Sequence, residues 1–310
     1  MTKLLPNWDT DNVESLAPFS RINLIVVDLD GTLLRPRGTQ TWAKINELHS
    51  SLKHHRYSVR MTIATGRTLW GVRPLLEKLS IDGEMPIILN NGSIIIRNGS
   101  FSTIFQRTIS ANNLSNVLDI ASNYNVRALA YVFNDPALTA QTLLQHGPNE
   151  YMFGWATIEP VELDFNNMVI IWQPTWKNEK GLSPSSILID ISEDSKSEIS
   201  LMKELNKIRE VSIYSAKPKY IEIRPKSSNK GTALERVLLS LGMDASQVLA
   251  LGDDDNDAEM LSIAGIGVAI GGASTLAETH SDYICRHTVE AGAIEVLRLV
   301  RNARRYFFKS

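Results

Sequence analysis

The chain has 310 residues, of which 43% are hydrophobic and 21% charged, the composition of a folded soluble chain with length enough for two domains. A formal net charge of −2 supplies no bulk attraction for nucleic acid or an anionic membrane, so the expected partner is a small molecule. The single cysteine, Cys285 in the apolar stretch SDYIC, excludes an intrachain disulfide and points to a packed thiol in a reducing, cytoplasmic compartment.

Residues 1–20 carry several acids, one lysine and no central apolar block, so they do not read as a signal peptide and are expected to form a loosely held extension. Residues 22–27, INLIVV, are far short of the ~20 apolar residues a membrane span needs. They are β-branched and apolar without alternation, which predicts a strand buried on both faces of a parallel sheet and running into Asp28. A helix is expected over 40–56, with Trp42, Ile45, Leu48 and Leu52 at helical spacing, followed by the strand VRMTIA, a helix over 69–79 and the apolar run MPIILNNG.

After Gly92 the rhythm changes. Strands IIIR, RALAYVF, NMVIIWQ, SSILIDIS and VSIYS, with helices ANNLSNVLDIASNY and SEISLMKELNKIR, read as an α/β domain inserted over 93–215. The first rhythm then returns after YIEIRP, with the helix KGTALERVLLSLG, the strand QVLALG, the helix AEMLSIAG, the short runs IGVAI and DYIC, and a final helix from Ala291 to about Phe307. The expected fold is therefore α/β, a parallel-sheet core over 21–92 and 216–310 split by one insert, with candidate hinges near Asn91 and Lys226.

In open α/β sheets ligands collect at the carboxyl ends of strands, and three strand ends here finish in chemically useful residues. Asp28 and Asp30 are two carboxylates two apart in DLDGT, able to divide nucleophilic and acid-base work, with Gly31 permitting a sharp turn and Thr32 a nearby hydrogen bond. Thr65, in ATGR, offers a hydroxyl and backbone N–H groups at a helix start for a phosphate oxygen, while Arg67 fits a salt bridge as well as a substrate contact. The run GDDDND places Asp253, Asp254 and Asp255 together, and three adjacent acids repel one another unless a cation is near; the spacing does not match a calcium loop. Lys230 opens a predicted helix, where a cation is unfavourable without an anion beside it. His49, His54 and His55 read as surface histidines at a polar helix end, not as a zinc cluster.

Taken in order, DLDGTL, ATGR, the lone lysine and GDDDND resemble motifs one to four of the haloacid dehalogenase-like hydrolase superfamily, and most of all its Cof-type branch. That resemblance covers the core, and the insert is similar in pattern to a C2-type cap over a Rossmann-like core. It implies a Mg2+-dependent phosphatase acting on a small phosphorylated metabolite such as a sugar phosphate, as monomer or homodimer. Asp28 would be the nucleophile and Asp30 the acid and base, its carboxyl raised by neighbouring carboxylates. Leu29, Thr65, Gly66, Lys230 and Asn256 would bind phosphate or substrate. The metal would be held by Asp28, the Asp30 carbonyl and Asp253, with Asp257 behind them, while Asp254 and Asp255 remain solvated. A phosphomutase-type phosphotransferase and a non-catalytic metabolite-binding protein stand as alternatives. Tyr131, Phe133, Tyr151, Phe153, Trp155, Trp172 and Trp176 could stack on a substrate, but packing of the insert's own core is their expected role.

Overall fold

The computed structural model describes residues 3–7, 13–34, 42–53, 58–134, 150–156, 170–191, 198–216 and 220–308, and these form two units. The first comprises Met1–Arg67, Val72–Phe105 and Asn229–Ser310, and the second Thr68–Gly71 and Gln106–Ser228.

The first unit is built on a six-stranded sheet of β1 (Lys3–Leu4), β2 (Leu24–Val27), β3 (Arg60–Ile63), β13 (Val248–Gly252), β14 (Ile266–Ala269) and β15 (Tyr283–Ile284). Their order is β1-β15-β14-β13-β2-β3 and every pairing is parallel. All four residues of β2 and all five of β13 are buried, which explains why the two central strands read as unbroken apolar runs. Register matters for function. Val27 lies opposite both Leu251 and Ile63, so Asp28, Gly252 and the Ala64–Thr65 pair leave the sheet side by side.

β4 (Pro86–Leu89) runs antiparallel to β5 (Ile94–Arg97), and a parallel bridge from Ala64 to Ile88 carries β4 alongside β3. β6 (Thr103–Gln106) completes that three-stranded sheet. Around the core lie the helices Trp42–Lys53, Lys230–Leu241, Ala258–Ile263 and Val289–Phe307. Val289–Phe307 packs on Trp42–Lys53 and on the turn Ala17–Arg21, where its buried Arg304 donates to the Ile22 carbonyl and to Asn23 Oδ1.

The second unit has a six-stranded sheet, ordered β11-β12-β10-β7-β8-β9, with β7 (Arg127–Phe133), β8 (Glu150–Trp155), β9 (Ile170–Trp172), β10 (Ser186–Asp190), β11 (Val211–Ala216) and β12 (Tyr220–Pro225). Only β8 and β9 pair parallel. The helices Ala111–Asn123 and Glu198–Leu205 lay Leu114, Val117, Leu118, Leu201 and Leu205 into a core shared with Tyr151, Phe153 and Trp155. Those three aromatics pack inward, as their alternation with Met152 and Gly154 along β8 requires.

Four sequence expectations about the fold differ from what is observed. Among the opening residues that are described, Lys3 and Leu4 pair with Tyr283 and Ile284, and Leu5, Leu16 and Phe19 are buried, so these are not loosely held. The segment IIIR, read as the start of the insert, is β5 and pairs with β4 in the first unit. The strand YIEIRP, read as the return of the core, is β12, held between β10 and β11 in the second unit. β5 pairs with β4 and β12 with β11, each the strand just before it in sequence, and an apolar strand reads the same whichever unit it joins, so the change of rhythm mislocated both boundaries. Cys285 is buried with its Sγ against the Gly292 carbonyl, in keeping with a packed thiol. His49 is fully buried, not on the surface, while His54 and His55 lie outside the described residues. Among the described residues, no helix is long and apolar enough to cross a membrane.

Candidate active site

Asp28 follows the last residue of β2, is only 4% exposed, and is fixed by its N–H donating to the Leu251 carbonyl at 2.9 Å. Three residues on, Gly31 turns the chain at φ +89°, where a Cβ would stand 2.1 Å from Asp253 Oδ2. The loops after β2 and β13 can therefore meet only at a glycine. Thr32 closes the same junction by donating its hydroxyl to Asp253 Oδ1 at 2.6 Å.

The helix Lys230–Leu241 begins with a capping box in which the Asn229 side chain accepts from the Thr232 N–H and the Thr232 hydroxyl accepts from the Asn229 N–H. That cap fixes the first helical residue, Lys230, which is 1% exposed, with its Nζ 2.6 Å from Asp28 Oδ1 and 2.7 Å from Asp257 Oδ1. A longer bond, 3.4 Å, reaches Asn256 Oδ1. The unfavourable placement of a cation at a helix start is thus offset by two buried carboxylates. Burial alone would lower the Lys230 pKa, but Asp257 and Asp28 outweigh it and hold the ammonium charged.

Asp257 is enclosed on both oxygens, Oδ1 by Lys230 and Oδ2 by the N–H groups of Asp253 and Asp254 at 3.0 and 3.1 Å. It braces the loop after β13. Asp253 is pushed up to about 6, first by burial, against the pull of the Thr32 bond, with Asp257 adding to the rise. Burial likewise raises the Asp28 carboxyl, opposed by Lys230 and reinforced by Asp257 and Asp253. Carboxylate oxygens of Asp28, Asp253 and Asp257 all lie within 4.8 Å of one another. Three acids and one lysine leave this cluster short of positive charge. A hard divalent cation with oxygen ligands fits that deficit, held by Asp28 and Asp253, whose Oδ2 atoms carry no hydrogen bond among the described residues, with Asp257 committed behind them. Asp254 and Asp255 are exposed, as expected for a solvated loop.

Thr65 is buried, and its hydroxyl accepts the Arg67 N–H at 3.1 Å. Its carbonyl accepts the N–H of Asn91, whose side chain accepts from Asn256 Nδ2 at 2.9 Å and packs against Gly66. Asn91 therefore ties the loop after β3 to the loop after β13, a role that reading it as a hinge missed. Its signal was available: PIIL is a fourth apolar run ending in polar residues beside the other three. Leu29 buries its side chain, and its carbonyl accepts the N–H groups of Thr32, Leu33 and Leu34.

Asp30 stands apart from this network. Its carboxylate, 55% exposed, takes both ends of the Arg67 guanidinium, with Nε to Oδ2 at 2.7 Å and Nη2 to Oδ1 at 2.6 Å. The acid-base role expected of Asp30 calls for neighbouring carboxylates; the structure places a guanidinium there. The same bond is the largest influence holding the Arg67 pKa above its ordinary value.

Residues 25–297 match the sequence profile of the haloacid dehalogenase-like hydrolases. The chain belongs to that family. This hydrolase is 26% identical over 281 residues to the 5-amino-6-(5-phospho-D-ribitylamino)uracil phosphatase YcsE of Bacillus subtilis, covering 89% of this chain and 95% of that one. It is 28% identical over 250 residues to the HMP-PP phosphatase of Cronobacter sakazakii, covering 79% and 83%. Its fold resembles that of a haloacid dehalogenase-like hydrolase from Bacteroides thetaiotaomicron with a TM-score of 0.72 at 24% identity, over 89% of this chain and 98% of the other. The architecture, a parallel-sheet core and a separate sheet unit, is that of the Cof-type, subclass IIB members. These relatives fit a phosphoric monoester hydrolase.

Proposed function

We propose that this hydrolase is a Mg2+-dependent phosphatase of small phosphorylated metabolites, working through an aspartyl-phosphate on Asp28. The carrying observation is the burial of Asp28 against Lys230, with Asp253 and Asp257 beside it, at the carboxyl ends of β2 and β13. A carboxylate is a weak nucleophile toward an anionic phosphate ester, and a lysine fixed 2.6 Å away screens the charge that would repel the ester. When bound, the metal supplies further charge neutralisation at the phosphoryl oxygens.

In the first step an Asp28 oxygen forms a bond to phosphorus as the bond to the leaving oxygen breaks, and Asp30 gives that oxygen a proton. In the second, Asp30 takes a proton from water, the water oxygen bonds to phosphorus, and the bond to Asp28 breaks to release phosphate. Asp30 parts from Arg67 to act in this way. Thr65, Gly66 and the backbone of Leu29 hold phosphoryl oxygens, while Asn256 and Asp257 keep Lys230 in place. The second unit serves as the cap that selects the leaving group.

The names of the relatives, a ribitylaminouracil phosphate phosphatase and an HMP-PP phosphatase, support a ring- or sugar-bearing phosphate as the substrate class. A panel of phosphate esters, assayed with magnesium and with chelator in 18O-labelled water, tests the reading. Released phosphate carrying the label fits hydrolysis. Transfer to substrate without the label marks a mutase, and no turnover on any ester marks a binding protein.

A further inference from the structure

At the amino ends of the strands whose carboxyl ends carry Asp28, Thr65 and Asp253 lies a cleft of about 630 Å3, walled by Asn23, Lys53, Arg60, Asp82, Met243 and Gln247. Consecutive strand starts form its base, with the Asn23 N–H donating to the Gln247 carbonyl at 2.8 Å and the Arg60 N–H to the Asn23 carbonyl at 2.9 Å. From Asn23 to Asp28 the chain is extended, so about 17 Å separates the cleft from the proposed nucleophile.

The wall is rich in donors. Arg60 carries five N–H donors, yet among the described residues its one side-chain bond is to the Met243 sulfur at 3.0 Å, a weak acceptor. Lys53 donates to the Ser80 carbonyl at 2.7 Å and keeps two further protons. Among the described residues neither cation has a carboxylate within 4.0 Å. The amide oxygens of Asn23 and Gln247 accept from Arg304 and from the Asp244 N–H, and both side chains also carry NH2 donors. Against these stands one acid among the described residues of the wall, Asp82, with Oδ1 already accepting the Glu84 N–H. These donors suit the cleft to binding. Its size falls among small-molecule sites, which run from about 300 to 1,000 Å3.

We infer that this cleft binds a small organic oxyanion, through Arg60 and Lys53, at a site separate from the hydrolase centre. The ligand carries a carboxylate or phosphate head for the two cations and a body that covers Met243. Arg60 supplies a planar fork suited to either head group.

Calorimetric titration of the full chain, kept metal-free with chelator, with citrate in one arm and inorganic phosphate in the other, tests this. The wild type binds at least one of them, and Arg60→Gln and Lys53→Gln each weaken that binding about tenfold, equivalent to ~1.4 kcal/mol. Both variants keep wild-type turnover of a generic phosphate ester, so a defect here is distinguishable from a defect in the proposed catalysis. The preferred arm identifies the head group. Lys53→Gln, at a helix end, guards against an Arg60 variant that fails to fold. Absence of binding in both arms, or binding that both variants leave unchanged, overturns the inference.

Discussion

The ammonium of Lys230 stands 2.6 Å from the carboxylate of Asp28, across 202 residues of sequence and in a place closed to solvent. A buried charge survives only with its partner, so removing the lysine strands Asp28 and Asp257 without a countercharge. Lys230→Met is expected to lower stability by about 3–5 kcal/mol, measured by urea unfolding. Adding Asp257→Asn to that variant removes one of the stranded charges and returns part of the loss, and a double-mutant cycle reads the coupling. Simple additivity would mean that the two side chains do not share a charge balance.

The two acids of DLDGT are expected to fail differently. Asp28→Asn takes away the attacking oxygen and should lower kcat by more than ~10^3-fold, a loss on the scale seen when other enzymes lose a nucleophile. Asp30→Asn removes a proton donor and acceptor and should lower kcat by ~10^2 to 10^4. Rapid-quench assays on a good ester separate burst from steady state, and a variant of Asp28 that still shows a burst contradicts its assigned role.

Cation binding to the native cluster stabilises the fold by mass action. Millimolar magnesium should raise the melting temperature of the wild type, chelator should reverse the rise, and Asp253→Asn should abolish it. Thermal unfolding followed by circular dichroism gives the answer, and an equal rise in Asp253→Asn would remove Asp253 from the ligand set.

His49 predicts the acid limb of stability. It is fully buried, neither ring nitrogen has a hydrogen-bond partner among the described residues, and burial, helped by Lys53, lowers its pKa from 6.5 to about 4. Between those values the unfolded chain binds a proton that the native chain refuses, so stability falls as pH drops through the window. The loss reaches about 3 kcal/mol at its lower end. His49→Leu should flatten that part of the urea midpoint against pH profile while leaving pH 8 behaviour within about 1.5 kcal/mol. An unchanged acid limb would show that His49 does not control it.

How much of this was legible in the sequence depended on the range of the signal. INLIVV running into Asp28 and QVLALG running into Asp253 were readable because a strand buried on both faces is an apolar run, and its end is where ligands gather. Lys230 was readable as a cation in need of an anion. Its partners, 202 and 27 residues away, were not visible in spacing. His49 could have been placed correctly, since it shares the helical stripe of Ile45, Leu48 and Leu52, and histidine was read by its polarity and not by its position. The pairing of Asp30 with Arg67, the edge pairing of Lys3 and Leu4, and the pairing of β12 with β10 are tertiary choices with no local pattern.

The most direct test of the central claim is chemical trapping of the phospho-enzyme. The protein is quenched during turnover of a phosphate ester, reduced with borohydride, and read by peptide mass spectrometry. The account predicts an aspartyl-phosphate, converted to the reduced residue, at position 28 and absent from Asp28→Asn. Turnover with no modification at Asp28, or with the phosphoryl group on another residue, would contradict it.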